Sequence, residues 1–333
     1  MAVPRCILCG EKGRALYSGL RDRLFSAGGD WSIACCERVE CGLLWLDPMP
    51  VAEDVHRVYE SYYTHADERR RDGLLDRLFA AAKRGYVANH FGYDAGAVER
   101  LLGVLPWIYP GRTAELDFSV MGLSADRRGR LLDVGAGSGW LVEHMNALGW
   151  QAEGLDFDAH AVERAKARGL KMHLGALPAQ GFAAASFDAV TMSHSIEHVH
   201  DPVSWLAEAR RVLRPGGRLA IATPNTRSVL HRRFREHWFP LDPPRHLHLF
   251  NRNALESALR KAGFEQIRLS TTVRDANGAF LGSRAIRHHG RHDMLAPVDR
   301  WLRVRARVAQ LGEAGRRLLD ADAGEDLVAL AVK

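Results

Sequence analysis

The sequence has no long hydrophobic run: no window holds about 18 consecutive apolar residues, so we expect no transmembrane helix. The first residues, MAVPRCILCGEKGR, lack the apolar segment of a secretory signal, and we expect none. Internal repeats and low-complexity tracts are also missing, which argues against a repeat architecture.

Cysteine is scarce, with five in 333 residues, and four of them lie in two local clusters. This usage suits a reducing compartment and a metal site better than a disulfide framework, and it predicts a cytoplasmic protein. Apolar residues make up 47% and charged residues 26% of the chain, as in soluble globular proteins. The length allows one large domain plus a small one, or two ordinary domains.

The formal net charge of +6 is unevenly distributed. The segment from Arg284 to Arg317 holds nine arginines and three acidic residues, so its excess alone equals that of the whole chain. A local basic element is therefore a better interpretation than a general nucleic-acid surface, and we expect no nucleic-acid partner.

The pattern of elements changes near Arg130. A helical pattern follows the turn Asp47-Pro48-Met49-Pro50, with these residues on one side: Val51, Val55, Val58, Tyr59 and Tyr62. Residues 67–112 predict further helices, and residues 106–129 a linker or lid segment. From Arg130 onward, apolar strands alternate with helices, and DLVALAVK is a last apolar strand. This alternation predicts an α/β fold with a doubly wound, mostly parallel sheet.

The stretch LLDVGAGSGW places Gly135, Gly137 and Gly139 between a predicted strand and a helix. Glycine permits positive φ and leaves no Cβ between backbone and ligand, and a helix N-terminus offers unpaired N–H groups. Such turns also carry glycine for packing alone. Asp156 ends the next strand, where a carboxylate can accept both hydroxyls of a ribose. The combination predicts a nucleoside site but does not separate NAD from S-adenosylmethionine.

Further motifs separate the two cofactors. LLDVGAGSG, GLDFD, SFDAVTMSHSIEHVHDP, RVLRPGGRLAIATPN and RHLHLF…LRKAGF resemble, in order and spacing, the class I S-adenosylmethionine-dependent methyltransferases. The resemblance covers roughly residues 130–274 and the last strand. It implies a Rossmann-like sheet of seven strands, the last one antiparallel, and S-adenosyl-L-methionine as the cofactor.

The resemblance also implies a set of cofactor-binding residues. Asp133 and the three glycines would hold the methionine part, and Asp156 the ribose. Phe157 and Ser193 complete the set. In this family the loop after the third strand usually carries an acid near the adenine, whereas here it reads GALPAQG. Backbone groups and apolar contacts would then hold the adenine.

The cysteines Cys6-x2-Cys9 and Cys36-x4-Cys41 form two short loops, each followed by glycine. Two such loops supply the four ligands of a tetrahedral thiolate site. Cys35 is a spare or an alternative to Cys36, and ordinary buried cysteines are the competing interpretation. This region resembles the zinc-binding segment ahead of some methyltransferases that act on sugars and nucleotide-sugars. The resemblance implies a structural zinc on Cys6, Cys9, Cys36 and Cys41.

Histidines supply the candidate bases, since imidazole can take a proton near neutral pH. His246 and His248 in PRHLHLF are two apart and would face opposite sides of an extended segment, so at most one reaches the acceptor. We predict His246 as the catalytic base and His198 as the second choice; a packing role for each is the alternative. His194-Ser-Ile-Glu197-His198 also matches the HxxEH motif of inverted zinc proteases, but it begins at a strand end. Tyr62 and Tyr63 are weaker candidates for the same site.

The basic segment contains the run VDRWLRVRARVAQLGEAGRRLL, in which Trp301, Val304, Val308 and Leu311 share one helical side. The helix could pack this side on the sheet and leave its arginines in solvent. Alternatively, residues 298–319 could bind phosphates or make a peripheral contact with an anionic membrane.

Together these features predict three regions: residues 1–50 as a zinc-binding knuckle, 51–129 as a helical lid or linker, and 130–333 as the methyltransferase domain. A basic helical insertion is expected at about 280–320. The predicted reaction is methyl transfer to a small-molecule acceptor, a sugar, nucleotide-sugar or glycan precursor, by in-line displacement. The alternatives are an aromatic metabolite or nucleic acid as acceptor, a non-catalytic S-adenosylmethionine-binding protein, or a nicotinamide-dependent oxidoreductase.

Overall fold

The computed structural model describes residues 1–51, 54 and 74–333. Most of the helical pattern expected after Val51 lies outside the described residues, as do Tyr62 and Tyr63. Within the described residues, no helix is long and apolar enough to cross a membrane.

Within the described residues, three strands and then three α-helices precede Arg130. In chain order they are β1 (Gly13–Leu20), β2 (Trp31–Cys36), β3 (Leu44–Leu46), α1 (Leu74–Phe91), α2 (Ala97–Leu102) and α3 (Pro110–Ser119). Pro110 is the first residue of α3, where a missing N–H is tolerated because that position has no intrahelical partner. The stretch 106–129, predicted as a linker or lid, therefore contains a regular helix.

Strands and helices alternate after Arg130, as the sequence predicts. In chain order they are β4 (Arg130–Val134), α4 (Trp140–Ala147), β5 (Gln151–Asp156), α5 (Ala159–Ala167), β6 (Met172–Leu174), β7 (Phe187–Ser193), α6 (Pro202–Val212), β8 (Leu213–Pro224), α7 (Val229–Phe234), β9 (His248–Leu249), α8 (Arg252–Lys261), β10 (Gln266–Thr272), α9 (Ala276–His289), α10 (Arg300–Arg316) and β11 (Asp326–Val332). The caps follow the sequence signals: the Asp158 carboxylate accepts a hydrogen bond from the His160 N–H, and Gly169 follows α5 with φ +83°. The basic insertion contains two helices, α9 and α10.

The larger sheet has seven strands in the order β10-β11-β8-β7-β4-β5-β6. The pairs β4–β5, β4–β7 and β5–β6 are parallel. β11 runs antiparallel to β8. The Gly216 N–H, near the start of β8, donates to the carbonyl of Lys333 after the end of β11, and the Asn225 N–H, after the end of β8, donates to the carbonyl of Glu325 before the start of β11. The prediction of a Rossmann-like sheet of seven strands with an antiparallel last strand is confirmed.

The smaller sheet is antiparallel and has the order β1-β2-β3-β9. Its fourth strand comes from far along the chain: Leu44 pairs with Leu249 and Trp45 with His248. The sequence predicts the small N-terminal unit but not this strand, because two residues are too few for a recognisable period.

The chain divides into two compact units. One contains Met1–Tyr63, His194–Ala207 and Ala222–Ala329, and the other contains Thr64–Ser193, Glu208–Ile221 and Leu330–Lys333. In the first unit, the buried side chains of Trp45, Trp238 and Phe250 form part of the core. In the second, β4 contributes Leu131 and Leu132, both fully buried. Burial of these apolar side chains is the main stabilising contribution within each unit.

Candidate functional site

The glycine turn, defined here as Asp133, Gly135, Gly137, Gly139 and Asp156, joins β4 to α4 beside the end of β5. All three glycines have positive φ, +81°, +50° and +78° respectively, a backbone conformation that residues other than glycine rarely adopt. Gly139 is the N-cap of α4 and provides no side-chain cap for the first N–H groups of the helix. The turn thus has the backbone conformation and the uncapped donors that a polar ligand needs.

Asp156 and Asp133 are the two buried carboxyls of this turn. The Asp156 oxygens accept hydrogen bonds from the Gly137 N–H at 2.7 Å and the Asp158 N–H at 2.9 Å. Burial raises the pKa of Asp156, while these backbone N–H groups oppose the rise. Burial also raises the pKa of Asp133 to about 7, although the Thr191 hydroxyl donates to its carboxylate at 2.7 Å. Asp156 therefore shapes the turn and ends β5, where a ribose acceptor is required.

The remaining predicted cofactor residues lie close to the turn in the sequence or on the neighbouring strand. Phe157 follows Asp156 directly and is about half exposed, so its ring offers an apolar surface beside the ribose acceptor. Ser193 is the last residue of β7, which pairs in parallel with β4. In the loop after β6, the Gly175 N–H donates to the Asp156 carbonyl and Leu177 is fully buried. The donor set and the apolar surfaces fit a nucleoside with an attached amino acid.

The four predicted metal ligands meet in one cluster, which we call the knuckle: Cys6, Cys9, Cys36 and Cys41. Their sulfur atoms all lie within 4.8 Å of one another, with 3.7 Å between Cys6 and Cys41 and 3.3 Å between Cys9 and Cys36. Tetrahedral zinc with Zn–S bonds of about 2.3 Å separates its sulfurs by about 3.8 Å, so the set fits zinc. Cys35 lies outside this set, as its sulfur contacts the Cys36 carbonyl at 3.5 Å.

The backbone of the knuckle has the turns that the sequence suggests. Gly10 and Gly42 have φ of +74° and +57°, a conformation that favours glycine after each ligand pair. Backbone hydrogen bonds from Cys9 and Leu8 oppose the rise in the pKa of the Cys6 thiol that the Cys41 thiol and burial cause. Burial raises the pKa of Cys36 to about 12. A thiolate cluster here therefore requires a cation.

The histidine cluster consists of His194, Glu197, His198 and His246. The rings of His198 and His246 are 4.7 Å apart in an edge-to-face arrangement. Each ring donates a hydrogen bond from Nδ1 to a backbone carbonyl. His198 donates to the Arg245 oxygen at 3.1 Å, and His246 to the Pro240 oxygen at 2.6 Å. Because a carbonyl oxygen only accepts, Nδ1 carries the hydrogen in both rings and a neutral ring has its lone pair on Nε2. The structure thus brings together the two predicted bases.

Glu197 and His194 add charge to this cluster. Glu197 is fully buried, accepts from the Thr223 hydroxyl at 3.0 Å and lies 3.4 Å from His194 Nδ1. His194 Nε2 lies 3.2 Å from Asp275. Burial disfavours the charged forms of both groups. The Asp275 and Glu197 carboxylates nevertheless raise the pKa of His194 well above its usual value. In turn, His194 lowers the pKa of Glu197 to about 2. By contrast, burial lowers the pKa of His198 to about 4.

A buried ion cluster holds the segment that carries His246. Arg245 is 1% exposed; its Nη1 and Nη2 donate to the Asp22 carboxylate at 2.8 and 2.7 Å, and its Nε donates to Asp242 at about 3 Å. The Asp242 carbonyl accepts from the N–H groups of Arg245 and His246. His248 lies apart from the pair, with Nδ1 donating to Val199, and burial lowers its pKa to about 4.

Sequence reasoning missed Asp275, Asp22, Asp242 and Arg245. In the sequence, a buried aspartate or arginine looks like an exposed one, because nothing local marks its distant partner. Within the part of the chain that the structure describes, two further sets of side chains have ligand atoms within 4.8 Å of one another: Glu197, His198 and His246, and His194, Asp275 and Asp326.

The chain is similar in sequence to known methyltransferases. A family model described as a methyltransferase domain matches residues 112–269. A protein of Mycolicibacterium smegmatis named as a probable S-adenosylmethionine-dependent methyltransferase is 32% identical over 218 residues, covering 61% of this chain and 81% of that protein. A methyltransferase structure from Thermotoga maritima aligns with 75% of this chain and 98% of its own, with 20% identity and a TM-score of 0.45.

The ubiquinone biosynthesis O-methyltransferase of Xanthomonas oryzae pv. oryzae is 38% identical over 103 residues. This match covers 29% of the chain and 43% of the enzyme, so the chain spans less than half the length of this relative. The match to the mycobacterial protein is longer and covers most of that relative. The chain therefore belongs to the S-adenosylmethionine-dependent methyltransferases.

Proposed function

We propose that this protein transfers a methyl group from S-adenosyl-L-methionine to a small-molecule acceptor. The observation that carries the proposal is the glycine turn, where three left-handed glycines lie beside the buried carboxylate of Asp156. When bound, the cofactor supplies a methyl group on a cationic sulfonium, which an oxygen, nitrogen or carbon lone pair can attack. Because this charge is neutralised in the reaction, the protein needs no strong acid and mainly aligns its substrates.

We propose that His246 removes the acceptor proton. Its Nδ1–H is held by the Pro240 carbonyl, so Nε2 is the basic atom. His198 is the weaker candidate, because burial lowers the pKa of its ring to about 4 and a proton is held poorly there. Its ring lies against His246 and limits the orientations that His246 can adopt.

Arg245 is a positioning residue in this proposal. Its carbonyl accepts a hydrogen bond from His198 Nδ1 and so fixes the tautomer of that ring. Its guanidinium donates to Asp22, in the loop between β1 and β2, and so fixes the chain next to His246. The strand pairing of β3 with β9 adds a second connection from the N-terminal segment to the stretch after His246. The N-terminal segment that carries the knuckle therefore also supports the proposed base, which gives a reason for the knuckle and the base to occur in one chain.

We propose zinc as a structural ion of the knuckle, and a sugar, nucleotide-sugar or glycan precursor as the acceptor. Four thiol groups close the coordination sphere and leave no position for a catalytic water. The acceptor proposal rests on the likeness of the cysteine segment to that of sugar methyltransferases. An aromatic hydroxyl acceptor is the second candidate, because a ubiquinone O-methyltransferase matches over 103 residues. We further propose a reducing, cytoplasmic setting, since none of the five cysteines forms a disulfide.

Calorimetry and a product assay test the methyl-transfer proposal. The purified protein should bind S-adenosylmethionine or its demethylated product and give no heat with NAD. Formation of the demethylated product should then require an acceptor from a panel of nucleotide-sugars, free sugars and phenols. Tight NAD binding without a response to the sulfonium cofactor contradicts the assignment. Turnover with phenols alone selects the second candidate acceptor.

Elemental analysis tests the knuckle. We expect about one zinc per chain in the wild type and its loss in Cys9→Ser and Cys41→Ser, because each variant removes one of four ligands. Cys35→Ser is the matched control and should keep its zinc, since this sulfur lies outside the cluster. Full zinc occupancy in both ligand variants would exclude the site.

A further inference from the structure

Helix α10 contacts the rest of its unit through a small, polar side. The buried residues of the helix are Ala306, Gln310 and Glu313. The side-chain amide of Gln310 donates to the Val273 carbonyl at 2.6 Å and to the Arg274 carbonyl at 3.2 Å. These bonds anchor the helix to the loop that joins β10 to α9. The helix is therefore held in one rotational orientation.

The apolar stripe of α10 points the other way. Trp301, Val304, Val308 and Leu311 are between 43% and 66% exposed. At about 100° per residue, their mean direction is nearly opposite to that of Ala306, Gln310 and Glu313. Of the two interpretations that the sequence left open, packing of this stripe on the sheet is therefore wrong: the stripe faces solvent. Leu318 and Leu319, which follow the helix, are also almost fully exposed and extend the apolar surface.

Arginines flank the stripe on both sides. Helical geometry places exposed Arg300 and Arg307 along one edge and exposed Arg305 and Arg316 along the other. The helix contains a single acidic residue, Glu313, and it is buried on the opposite face. The exposed face of α10 is thus apolar in the middle and only positive at its edges.

From this arrangement we propose that α10 docks the protein on an anionic membrane surface, with the stripe in the interface and the arginines among the lipid head groups. An apolar stripe between cations is the pattern of helices that lie in the plane of a membrane. Nucleic acid would pair with the arginines but would leave Val304, Val308 and Leu311 in water. Lipid satisfies both parts of the face, because acyl chains cover the stripe and anionic head groups attract the arginines.

Vesicle sedimentation tests the stripe. The wild type should sediment with phosphatidylcholine vesicles that contain phosphatidylglycerol and stay in solution with phosphatidylcholine alone. Salt should weaken the binding, because it screens exposed charges. Val304→Ser/Val308→Ser should bind the anionic vesicles about ten-fold more weakly or worse, since it removes apolar area from the interface. The control Val98→Ser/Leu101→Ser changes two apolar residues of α2 that are even more exposed, and it should bind as the wild type does.

A charge series tests the arginines separately. Arg305→Gln/Arg307→Gln removes one cation from each edge and should weaken binding about 25-fold, roughly five-fold for each arginine. Arg164→Gln/Arg268→Gln makes the same change in net charge at exposed positions outside α10 and should bind like the wild type. Thermal unfolding and cofactor affinity should be unchanged in all four variants, which separates lost docking from lost folding.

Three outcomes overturn the proposal. The first is a wild type that ignores anionic vesicles at low salt. The second is an equal loss of binding in the control variants, which would indicate a general charge or solubility effect. The third is a stable dimer that Val304→Ser/Val308→Ser converts to monomers, because a second copy of the chain would then cover the stripe.

Discussion

The glycine turn and the histidine cluster differ in how their parts are distributed along the chain. Every part of the glycine turn lies between residues 133 and 158, at the ends of β4 and β5, which are neighbouring parallel strands. The histidine cluster combines residues 194–198 with His246 and is held by Asp22, Asp242 and Asp275. Local chain geometry builds the first site, whereas tertiary packing builds the second.

This difference has an electrostatic counterpart. In the glycine turn, Asp156 is held by two backbone N–H groups, which need no partner side chain. In the histidine cluster, buried charges are held by other side chains, as in the contacts of Arg245 and His194. A buried side-chain pair leaves an uncompensated charge when one member is lost. The histidine cluster should therefore be more sensitive to single substitutions than the glycine turn.

The largest expected effect is that of His246→Ala on the rate. If His246 is the base, its loss should lower turnover by about 10²–10⁴-fold while the affinity for S-adenosylmethionine stays constant. Single-turnover kinetics and calorimetry measure the two quantities. His198→Ala is the parallel variant and should have a smaller effect. A double variant that turns over at the wild-type rate would mean that alignment alone accounts for catalysis.

The next largest effect should be that of Arg245→Gln on stability. This change leaves Asp22 and Asp242 buried without their cation, at a cost of about 3–5 kcal/mol in the free energy of unfolding. Chemical denaturation measures it, and adding Asp22→Asn should recover part of the loss. The control Arg21→Gln breaks an exposed pair with Asp30 and should cost less than about 1 kcal/mol. Equal losses in both variants would remove the positioning role of Arg245.

Asp156→Ala should weaken cofactor binding by about 1.5–3 kcal/mol, because the partners of the carboxylate would be left unpaired. At saturating cofactor, turnover should change little, which is the reverse of the behaviour expected for His246→Ala. Calorimetry with S-adenosylmethionine measures the affinity. Asp158→Ala is the control: it removes the cap of α5 at His160 and should affect stability rather than affinity. Unchanged affinity in Asp156→Ala would argue against a ribose at this carboxylate.

The smallest effect concerns the pH dependence of folding near α10. Burial, with the Asp326 carboxylate, raises the pKa of Glu313 from 4.5 to about 8, and the pKa values of Glu325 and Asp326 are also raised. The folded state thus retains a proton that the unfolded chain releases. The resulting stability is complete below pH 4.5 and is lost as the pH rises through about 8.

Glu313→Gln should therefore flatten this loss. We expect the variant to gain stability relative to the wild type as the pH rises from 5 to 8, so that its Tm exceeds that of the wild type by more at pH 8 than at pH 5. Thermal unfolding at both pH values measures the difference. Glu256→Gln, on an exposed face of α8, is the control and should keep the wild-type pH dependence. Identical slopes for Glu313→Gln and the wild type would mean that Glu313 is ionised in the folded protein.

The sequence predicts the fold well where its signal is local. Alternating apolar strands and amphipathic helices identify the seven strands of the main sheet, and Asp158 and Gly169 mark the ends of α5. Cysteine spacing identifies the four residues of the knuckle cluster. The sequence misses β9, because two residues have no period, and it leaves open whether the α10 stripe faces the sheet or the solvent. An amphipathic pattern indicates that a helix has an apolar side. It does not indicate which side of the helix packs against the rest of the protein.

The sequence by itself determined the glycine turn, the acid that ends β5 and the cysteine set. Each depends on backbone conformation or on ligand spacing within a short stretch, and residue type alone controls both. Only the tertiary structure decided that Asp22 faces Arg245, that Asp275 faces His194, and that α10 is anchored through Gln310. These contacts join residues far apart in the chain, and burial makes them necessary, because a charge or amide removed from water must find a partner wherever the fold brings one.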